Sequence, residues 1–323
     1  MKLDNIVITG GAGFIGSNTA IALQKLGLKV TIIDNFDEQA GANYSNIIDI
    51  KDKIVLRELN IMSDDISKDL KKADLIINCA AISSHSLSQK YPKENLQINT
   101  NAVLNILDFL RKHNKKCKFI QIGTTTQYGP LLTEPADENH REMPLDIYSA
   151  NKSLAEKFCL IYQNSYDIDV ICLRLSNTYG PRARIDSSLF TFNNYFIGLG
   201  LRKESIKVFG SGEQLRNSIY VEDIVDAIIE LIQTEKAYGN IFNVVGDDHH
   251  SIYNIAQLTA SIFNSNYELC EWPLAAKKTD VGNAVFSNKK LRSFISWKAT
   301  TSLTDGLEKS KEFFDAHLSN YIL

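Results

Sequence analysis

The sequence predicts an α/β fold, in which a doubly wound parallel sheet is followed by a smaller, interleaved C-terminal α/β substrate domain. Two observations carry this prediction. Short runs rich in Ile and Val alternate with helical patterns through the first half of the chain, and the runs are almost continuously apolar, as parallel strands buried on both faces are. After residue 180 the alternation becomes irregular. We therefore expect one domain over residues 1–180 and a second over 181–323, mainly for substrate binding.

The individual elements follow from the period of the apolar residues. In the first half, strands are predicted at residues 5–9, 29–33, 54–59, 75–78, 118–122 and 169–175, and helices at 14–26, 96–113 and 147–166. In the second half, helices are predicted at 190–199, 225–233, 252–263 and 303–314, and strands at 206–209 and 241–244.

Composition narrows the class of protein. The net charge of the 323 residues is −3, which argues against a nucleic-acid partner. The five cysteines are scattered without a Cys-x-x-Cys pair, so we expect neither a disulfide framework nor a metal site. No apolar stretch approaches the length of a membrane span, and the chain starts without a leader-like segment. We expect no membrane partner and a cytoplasmic location.

A glycine-rich turn follows the first predicted strand. Gly10, Gly13 and Gly16 are spaced as Gly-x-x-Gly-x-x-Gly, with Phe14 and Ile15 opening an amphipathic helix. Small residues at such a turn let a dinucleotide pyrophosphate approach the backbone N–H groups of the helix N-terminus. A tight strand-to-helix connection is the structural alternative, but the flanking strand and helix favour a Rossmann-type dinucleotide site.

The second predicted strand ends in an acidic residue. Asp34 stands at the interval after the glycines where a carboxylate accepts hydrogen bonds from the ribose hydroxyls of a dinucleotide and repels a 2′-phosphate. The structural alternative is an acidic residue in a turn. Since Asn35, and not an arginine, comes next, the sequence favours NAD over NADP.

A tyrosine and a lysine four residues apart begin the predicted helix at 147–166. Tyr148 and Lys152 would share one helical face. We expect the ammonium to lower the pKa of the phenol, so that Tyr148 serves as a general base while Lys152 binds the nicotinamide ribose. The spacing alone occurs often by chance, but here it follows a nucleotide loop and a strand that ends at the ligand-binding edge of the sheet.

Three threonines come directly after that strand. We expect the hydroxyl of Thr124 to bond the reacting oxygen of the substrate and to pass its proton to Tyr148. The alternative is that these hydroxyls cap backbone groups at the strand end. For Thr125 and Thr126, as candidate substrate contacts, both interpretations stay open. The six histidines, His85 among them, show no pattern that orients a nucleophile.

Taken together, these residues resemble the extended short-chain dehydrogenase/reductase superfamily, and within it the NAD-dependent nucleotide-sugar epimerase/dehydratase family. The resemblance extends over about residues 5–314 and implies NAD as cofactor, the glycine loop and Asp34–Asn35 as its binding site, and Thr124, Tyr148 and Lys152 as the catalytic residues. Further cofactor contacts are implied at Asn60, Ile61, Ala80, Ala81 and Asn99.

The resemblance also implies where a nucleoside-diphosphate sugar would bind. Asn177 and Arg216 stand at positions that contact its diphosphate, and Val208 begins a stretch that contacts its nucleotide. Lys277 replaces a common phosphate-binding arginine, and Asn217 stands where the family normally has aspartate. A homodimer is implied as well.

The activity expected from the resemblance is epimerisation of the sugar, at C4, through a transient keto-sugar. The alternatives are a 4,6-dehydratase, a C2 epimerase, a keto-sugar reductase, and a catalytically silent nucleotide-binding or scaffold protein. The complete set of Thr124, Tyr148 and Lys152 argues against the silent protein. Thr125 and Thr126 argue against the dehydratase, which needs an additional acid and base after the catalytic threonine.

Overall fold

A computed structural model describes residues 3–273, 277 and 280–322. Seven parallel strands form the central sheet, in the order β10-β6-β5-β4-β1-β2-β3. These strands are β1 (Asn5–Thr9), β2 (Lys29–Asp34), β3 (Val55–Glu58), β4 (Leu75–Asn78), β5 (Lys118–Thr124), β6 (Val170–Leu175) and β10 (Asn240–Val244). All of their pairings are parallel. The predicted doubly wound sheet of Rossmann type is confirmed.

Both faces of this sheet are buried, which explains why its strands are apolar without alternation. In β1, Ile6 and Ile8 pack into one core with helices α1 (Phe14–Lys25) and α8 (Val221–Ile232). Val7 packs into a second core on the other face with α5 (Ala102–His113) and α6 (Ile147–Tyr166). A strand with two apolar faces can occupy only such a central position.

A third core lies under the second half of the chain. It is covered by α7 (Phe192–Leu201), α9 (Ile252–Phe263) and α11 (Leu303–His317). Strands β7 (Asn177–Tyr179), β9 (Leu215–Tyr220) and β11 (His249–Ser251) form a small mixed sheet, while β8 (Ile206–Phe209) pairs with β12 (Tyr267–Cys270). Because β10 returns to the central sheet, the two halves are interleaved as predicted. The division at residue 180 stays a prediction.

The remaining helices are short: α2 (Ser67–Leu70), α3 (His85–Lys90), α4 (Pro92–Leu96) and α10 (Lys289–Phe294). A π-helical turn, Gln97–Asn101, joins α4 to α5, so the predicted helix at 96–113 begins earlier and is not regular. Within the ranges given above, no helix is long and apolar enough to cross a membrane.

Several boundaries differ from the predicted ones. The helix predicted at 225–233 begins at Val221, because Glu222 and Asp223 lie in its first turn, where carboxylates suit the helix dipole. Strands β7, β9, β11 and β12 were not predicted at all. Strand β9 contains Arg216, Asn217 and Ser218 in succession, and such a polar run carries no strand period.

Candidate active site

Two adjoining clefts open along the carboxyl ends of the central strands. The larger has a volume of about 410 Å³ and the smaller one of about 80 Å³. They share walls formed by Gly10, Gly13, Cys79 and Ala81. A ligand that extends through both clefts would therefore lie across the glycine loop, at the edge of the sheet where such folds bind nucleotides.

The glycine loop allows a ligand to approach its backbone closely. Gly10 adopts a φ of +67°, and a Cβ atom there would lie 2.6 Å from the backbone nitrogen of Ala80. At Gly16, a Cβ atom would collide with the carbonyl oxygen of Gly10. Gly13 is the N-cap of α1, whose first turn holds no acidic side chain and opens towards the clefts. The loop can therefore receive a pyrophosphate at the positive end of the helix.

Asp34 lies at the end of β2, in the wall of the smaller cleft. Its carboxylate accepts hydrogen bonds from the backbone nitrogens of Ala12 and Phe36, each at 2.9 Å. Burial raises the pKa of Asp34, while these two hydrogen bonds oppose the rise. Asn35, Asn60 and Ile61 line the same cleft. Asp34 thus braces the glycine loop and also faces the space where a ribose would lie.

Asn99, on the π-helical turn, carries a buried acceptor. Its Nδ2 donates to the carbonyl oxygen of Ile82 at 3.1 Å, but its Oδ1 has no hydrogen-bond partner among the described residues. A buried amide oxygen without a donor is costly, which is typical of a group that meets a ligand. The orphaned oxygen, the tight glycine loop and Asp34 all fit a bound NAD. Ala80 and Ala81 also line the smaller cleft.

Thr124, Tyr148 and Lys152 meet in the wall of the larger cleft. Thr124 is the last residue of β5, and the other two lie on the first turns of α6. All three are buried. The ammonium of Lys152 donates to the backbone carbonyl oxygen of Ile122 at 2.9 Å. The sequence-predicted trio is therefore brought together at one point of the cleft.

The pKa of Tyr148 does not follow the expectation from the sequence. Burial raises its pKa above the ordinary value, the charge of Asp146 raises it further, and a hydrogen bond with Thr124 lowers it. The predicted lowering by Lys152 was wrong for this arrangement, because desolvation of the phenolate is the largest effect on the pKa of Tyr148 and Lys152 does not offset it. Burial also lowers the pKa of Lys152 to about 8.

The three threonines have structural partners as well. Thr124 caps the short 3₁₀ turn that follows β5, since its Oγ1 accepts from the backbone nitrogen of Thr126 at 3.2 Å. Its hydroxyl lies 3.1 Å from that of Thr126, which in turn lies 2.7 Å from the Ser149 hydroxyl. Thr125 and Thr126 both line the larger cleft. Thr124 therefore combines the capping and the active-site positions that the sequence presented as alternatives.

Asn177 and Arg216 also line this cleft. The Nδ2 of Asn177 donates to the carbonyl oxygen of Asn217 at 3.2 Å. Arg216 donates to the carboxylate of Asp280 at 3.0 Å and to the carbonyl oxygen of Gly282 at 2.6 Å. Burial lowers the pKa of Arg216, while Asp280 opposes this shift. The guanidinium is thus held in place and partly neutralised.

Two predicted substrate residues lie elsewhere. Val208 is fully buried in the third core. Gly212 packs so closely against its side chain that a Cβ atom at Gly212 would lie 2.5 Å from Cγ1 of Val208. Its side chain therefore does not face the cleft. The apolar strand pattern around Val208 is already typical of a buried position. Lys277 is exposed, and its backbone nitrogen bonds the carbonyl oxygen of Pro273. It is not among the described residues of the cleft wall.

Asn217, where the family normally has aspartate, is explained by its partners. Its Nδ2 donates to the carbonyl oxygens of Gly246 and Asp248 at 2.8 and 3.0 Å. Its Oδ1 accepts from the backbone nitrogen of Gly246 at 3.0 Å and from the Ser176 hydroxyl at 2.6 Å. Because a carboxylate cannot donate, only an amide satisfies both sets of partners at this buried position.

The sequence did not reveal a histidine in the cleft wall. His85, at the start of α3, lies edge-on to the ring of Tyr148 with 5.3 Å between ring centres. Its Nδ1 lies 2.7 Å from the carboxylate of Asp146, the N-cap of α6. These two residues are 61 positions apart, so no local pattern joins them. The only available signal was the capping acid two residues before Tyr148.

Comparison with known proteins agrees with this geometry. In the Bacillus cytotoxicus proteome, UDP-N-acetyl-alpha-D-glucosaminuronate decarboxylase is 30% identical over 325 residues, which cover 95% of this chain and 97% of the relative. The structure of UDP-N-acetylglucosamine 4-epimerase from Methanobrevibacter ruminantium, in complex with UDP-N-acetylmuramic acid, matches with a TM-score of 0.89 and 27% identity over 98% of this chain and 100% of that one. UDP-glucuronic acid 4-epimerase from Bacillus cereus, in complex with UDP-glucuronic acid and NAD, matches with a TM-score of 0.86 and 26% identity over 97% and 99%.

A family model described as the NAD dependent epimerase/dehydratase family matches residues 6–245. This match covers most of the chain, including the glycine loop, the trio of Thr124, Tyr148 and Lys152, and Arg216. It confirms the resemblance inferred from the sequence and the prediction of NAD as the cofactor. The chain belongs to the NAD dependent epimerase/dehydratase family.

Proposed function

We propose that this protein inverts C4 of a nucleoside-diphosphate sugar through a transient keto-sugar. The observation that carries the proposal is the larger cleft itself. Thr124, Tyr148 and Lys152 line this cleft together with Asn177 and Arg216, and it meets the smaller cleft at the glycine loop. A sugar whose diphosphate is held by Arg216 and Asn177 would therefore lie in the same cleft as the acid–base residues.

Different residues of the cleft have different roles in the proposed reaction. Tyr148 exchanges the proton of the sugar hydroxyl, through or beside Thr124, which lines the same cleft. Lys152, fixed by the carbonyl of Ile122, holds the nicotinamide ribose. NAD, when bound, accepts a hydride from the sugar carbon and returns it to the opposite face, so the cycle consumes no oxidant. Between these two steps the keto-sugar turns within the cleft.

The diphosphate is the anchor around which the sugar turns. In the larger cleft, Arg216 provides the cation and Asn177 provides a polar side chain. The pairing of Arg216 with Asp280 keeps the guanidinium oriented without a ligand, so binding needs less ordering of this side chain. We infer a uridine diphosphate sugar as the substrate class, since the relatives compared above act on or hold UDP-sugars.

The residues after Thr124 favour an epimerase over a 4,6-dehydratase. Thr125 and Thr126 carry neutral hydroxyls, which cannot remove the C5 proton or protonate the leaving C6 hydroxyl at a useful pKa. Both solved relatives described above are named as 4-epimerases. Decarboxylation of a UDP-sugar acid is the second candidate, because the Bacillus cytotoxicus relative is named for that reaction.

We also propose that the protein forms a homodimer through α5 and α6. Leu154 and Ile161 on α6 are 40% and 50% exposed, and Leu104 and Phe109 on α5 are only partly buried. Large apolar side chains exposed along neighbouring helices are typical of a contact surface. Sedimentation velocity should give a dimer for the natural protein and a monomer for the double variant Leu154→Glu/Ile161→Glu.

A panel of UDP-, GDP-, CDP- and TDP-sugars, including uronic acids, tests the proposed activity. Each sugar is incubated with the purified protein and NAD, and the product is identified by proton NMR. We expect inversion at C4 of a UDP-sugar. A pentose product would replace the proposal with the decarboxylase, and inversion at C2 would also contradict it.

A further inference from the structure

A continuous chain of hydrogen bonds leads away from the catalytic threonine. The Thr124 hydroxyl lies 3.1 Å from that of Thr126, and Thr126 lies 2.7 Å from the hydroxyl of Ser149. Ser149 donates to the Asp146 carboxylate at 2.9 Å, and the same oxygen lies 2.7 Å from Nδ1 of His85. The chain therefore joins the buried reaction centre to an imidazole whose side chain is 48% exposed.

The Asp146 carboxylate determines which group donates and which accepts in each hydrogen bond of this chain. Burial raises the pKa of Asp146, but hydrogen bonding and charge from His85, with two hydrogen bonds from Ser149, bring it below the ordinary value. An ionised carboxylate can only accept, so the Ser149 hydroxyl donates to it. The Ser149 oxygen then accepts from Thr126, and the Thr126 oxygen accepts from Thr124. In this orientation Thr124 donates to Thr126 and not to Tyr148. Because the Thr124 oxygen also accepts from the Thr126 backbone nitrogen, one lone pair remains for the substrate hydroxyl.

We propose that these residues form a proton relay in which Asp146 is a second acceptor, besides Tyr148, for the proton of the substrate hydroxyl. This inference rests on the proposed oxidation of a sugar hydroxyl. Thr124 touches the substrate, Thr126 and Ser149 carry the proton, and His85 is a positioning residue that holds Asp146. Nothing in the family membership requires this route, because proton transfer to Tyr148 alone would complete the proposed reaction.

The proton balance of the relay is simple. The substrate O–H bond breaks and its proton binds Oγ1 of Thr124, while the protons of Thr124, Thr126 and Ser149 each advance by one oxygen. An O–H bond forms on Asp146, a C=O bond forms on the sugar, and the carbon-bound hydrogen leaves with its electron pair to NAD, as in the proposed function. Reduction of the keto-sugar reverses every step.

The structural alternative is that the chain only supports the start of α6. Asp146 is the N-cap and accepts from the Ser149 backbone nitrogen at 2.9 Å. However, Ser149 bonds the capping carboxylate with both its backbone nitrogen and its hydroxyl, whereas the Thr126 hydroxyl bonds Ser149 and Thr124. Removal of the Thr126 hydroxyl therefore separates the two roles.

The central test compares Thr126→Val with Thr126→Ser. Valine keeps the shape of threonine and removes the hydroxyl, whereas serine keeps the hydroxyl. We expect Thr126→Val and Ser149→Ala to lower kcat by about 10²-fold, the low end for loss of acid–base catalysis, with KM nearly unchanged, and Thr126→Ser to retain activity. Ser310→Ala, which removes a hydroxyl on α11 that is as buried as Ser149, is the control for the loss of a buried polar group.

Two measurements distinguish a relay from a merely structural role. The dependence of kcat on the fraction of D₂O should be curved in the natural protein, because several protons move together, and linear in Thr126→Val. The double variant Thr126→Val/Ser149→Ala should be no slower than either single variant, since one break interrupts the whole relay. A linear dependence in the natural protein, or additive losses in the double variant, would overturn the relay.

The exposed end of the chain gives a further test. His85→Ala should lower kcat, and added imidazole should restore part of it, because the position opens to the cleft and to solvent. Failure of rescue would remove His85 from the relay. The failure of the proposed function gives a different result: the natural protein would then form no NADH from any sugar in a single turnover. NADH formation at the natural rate in Thr126→Val would instead contradict the relay alone.

Discussion

The ammonium of Lys152 lies 2.9 Å from the backbone carbonyl oxygen of Ile122, to which it donates a hydrogen bond. Lys152 is on α6 and Ile122 on β5, so this bond ties the catalytic helix to the strand that ends in Thr124. One neutral carbonyl is a poor substitute for water around a buried cation. The position of Lys152 is therefore kept at a cost in stability.

This cost predicts a change in stability with pH. Burial lowers the pKa of Lys152 from 10.5 to about 8, so between these values the unfolded chain binds more protons than the folded one. The contribution of Lys152 to the free energy of unfolding should then rise with pH through this window, by at most about 3 kcal/mol. Burial raises the pKa of the Cys79 and Cys117 thiols, which changes the stability in the opposite direction, so the Lys152 contribution is obtained as a difference between two proteins. Below pH 8 the penalty is fully present.

Lys152→Met removes the buried charge. We expect this variant to be more stable than the natural protein at neutral pH, by a margin that disappears between pH 8 and 10.5, and to be inactive. Urea unfolding at several pH values measures this. Lys157→Met on the same helix is the control, because the Lys157 side chain is 50% exposed and paired with Glu142. An unchanged pH slope in Lys152→Met would show that its ammonium is not desolvated.

Tyr148→Phe tests the acid–base role directly. The substitution keeps the buried ring and its edge-on contact with His85 but removes the hydroxyl. We expect kcat to fall by at least about 10²-fold, with little change in substrate binding, as measured by calorimetry. Tyr162→Phe, farther along α6, controls for the loss of a phenol. Turnover near the natural rate in Tyr148→Phe would refute this role.

Asp34→Asn tests the origin of the preference for NAD. The amide keeps the size of the side chain but removes the charge that would repel a 2′-phosphate. It also weakens one of the hydrogen bonds from Ala12 and Phe36. Binding of both cofactors should be measured by calorimetry, and we expect weaker binding of NAD and a smaller preference over NADP. Tighter binding of NADP than NAD by the natural protein would disprove the assignment of Asp34.

Arg216→Ala separates substrate anchoring from chemistry. Because the expected partner of Arg216 is the diphosphate and not the reacting carbon, KM should rise while kcat at saturation changes little. Asp280→Asn is the matched variant: it leaves Arg216 in place and removes the charge that partly neutralises it, so KM should not rise as it does in Arg216→Ala. A fall in kcat without a change in KM for Arg216→Ala would assign this residue another role.

Much of the fold could be predicted because local signals and tertiary structure agree there. The glycine loop, the apolar strands and Asp34 are close in sequence, and each pattern has a single structural solution in a parallel sheet. The sequence also identified the pair Tyr148 and Lys152, whose spacing places both on one helical face. In each of these features, the residues that form the pattern lie close together in the sequence.

The features that could not be predicted depend on contacts between distant residues. His85 and Asp146 are 61 positions apart, and Arg216 and Asp280 are 64 apart. Strand β9 is polar, so its pairing with β7 and β11 is visible only in the folded chain. The expected lowering of the Tyr148 pKa was wrong for a similar reason: spacing indicates the neighbour Lys152, whereas burial depends on the whole fold.

The most direct test of the proposed C4 epimerisation uses the sugar identified by the panel, labelled with deuterium at C4. If the hydrogen leaves C4 and returns to the other face within one cleft, the inverted product retains the label at C4 and gains no hydrogen from solvent at C5. Proton and deuterium NMR of the product should show this result in H₂O and in D₂O. Loss of the C4 label to solvent, deuterium at C5, or release of CO₂ would contradict the proposed function.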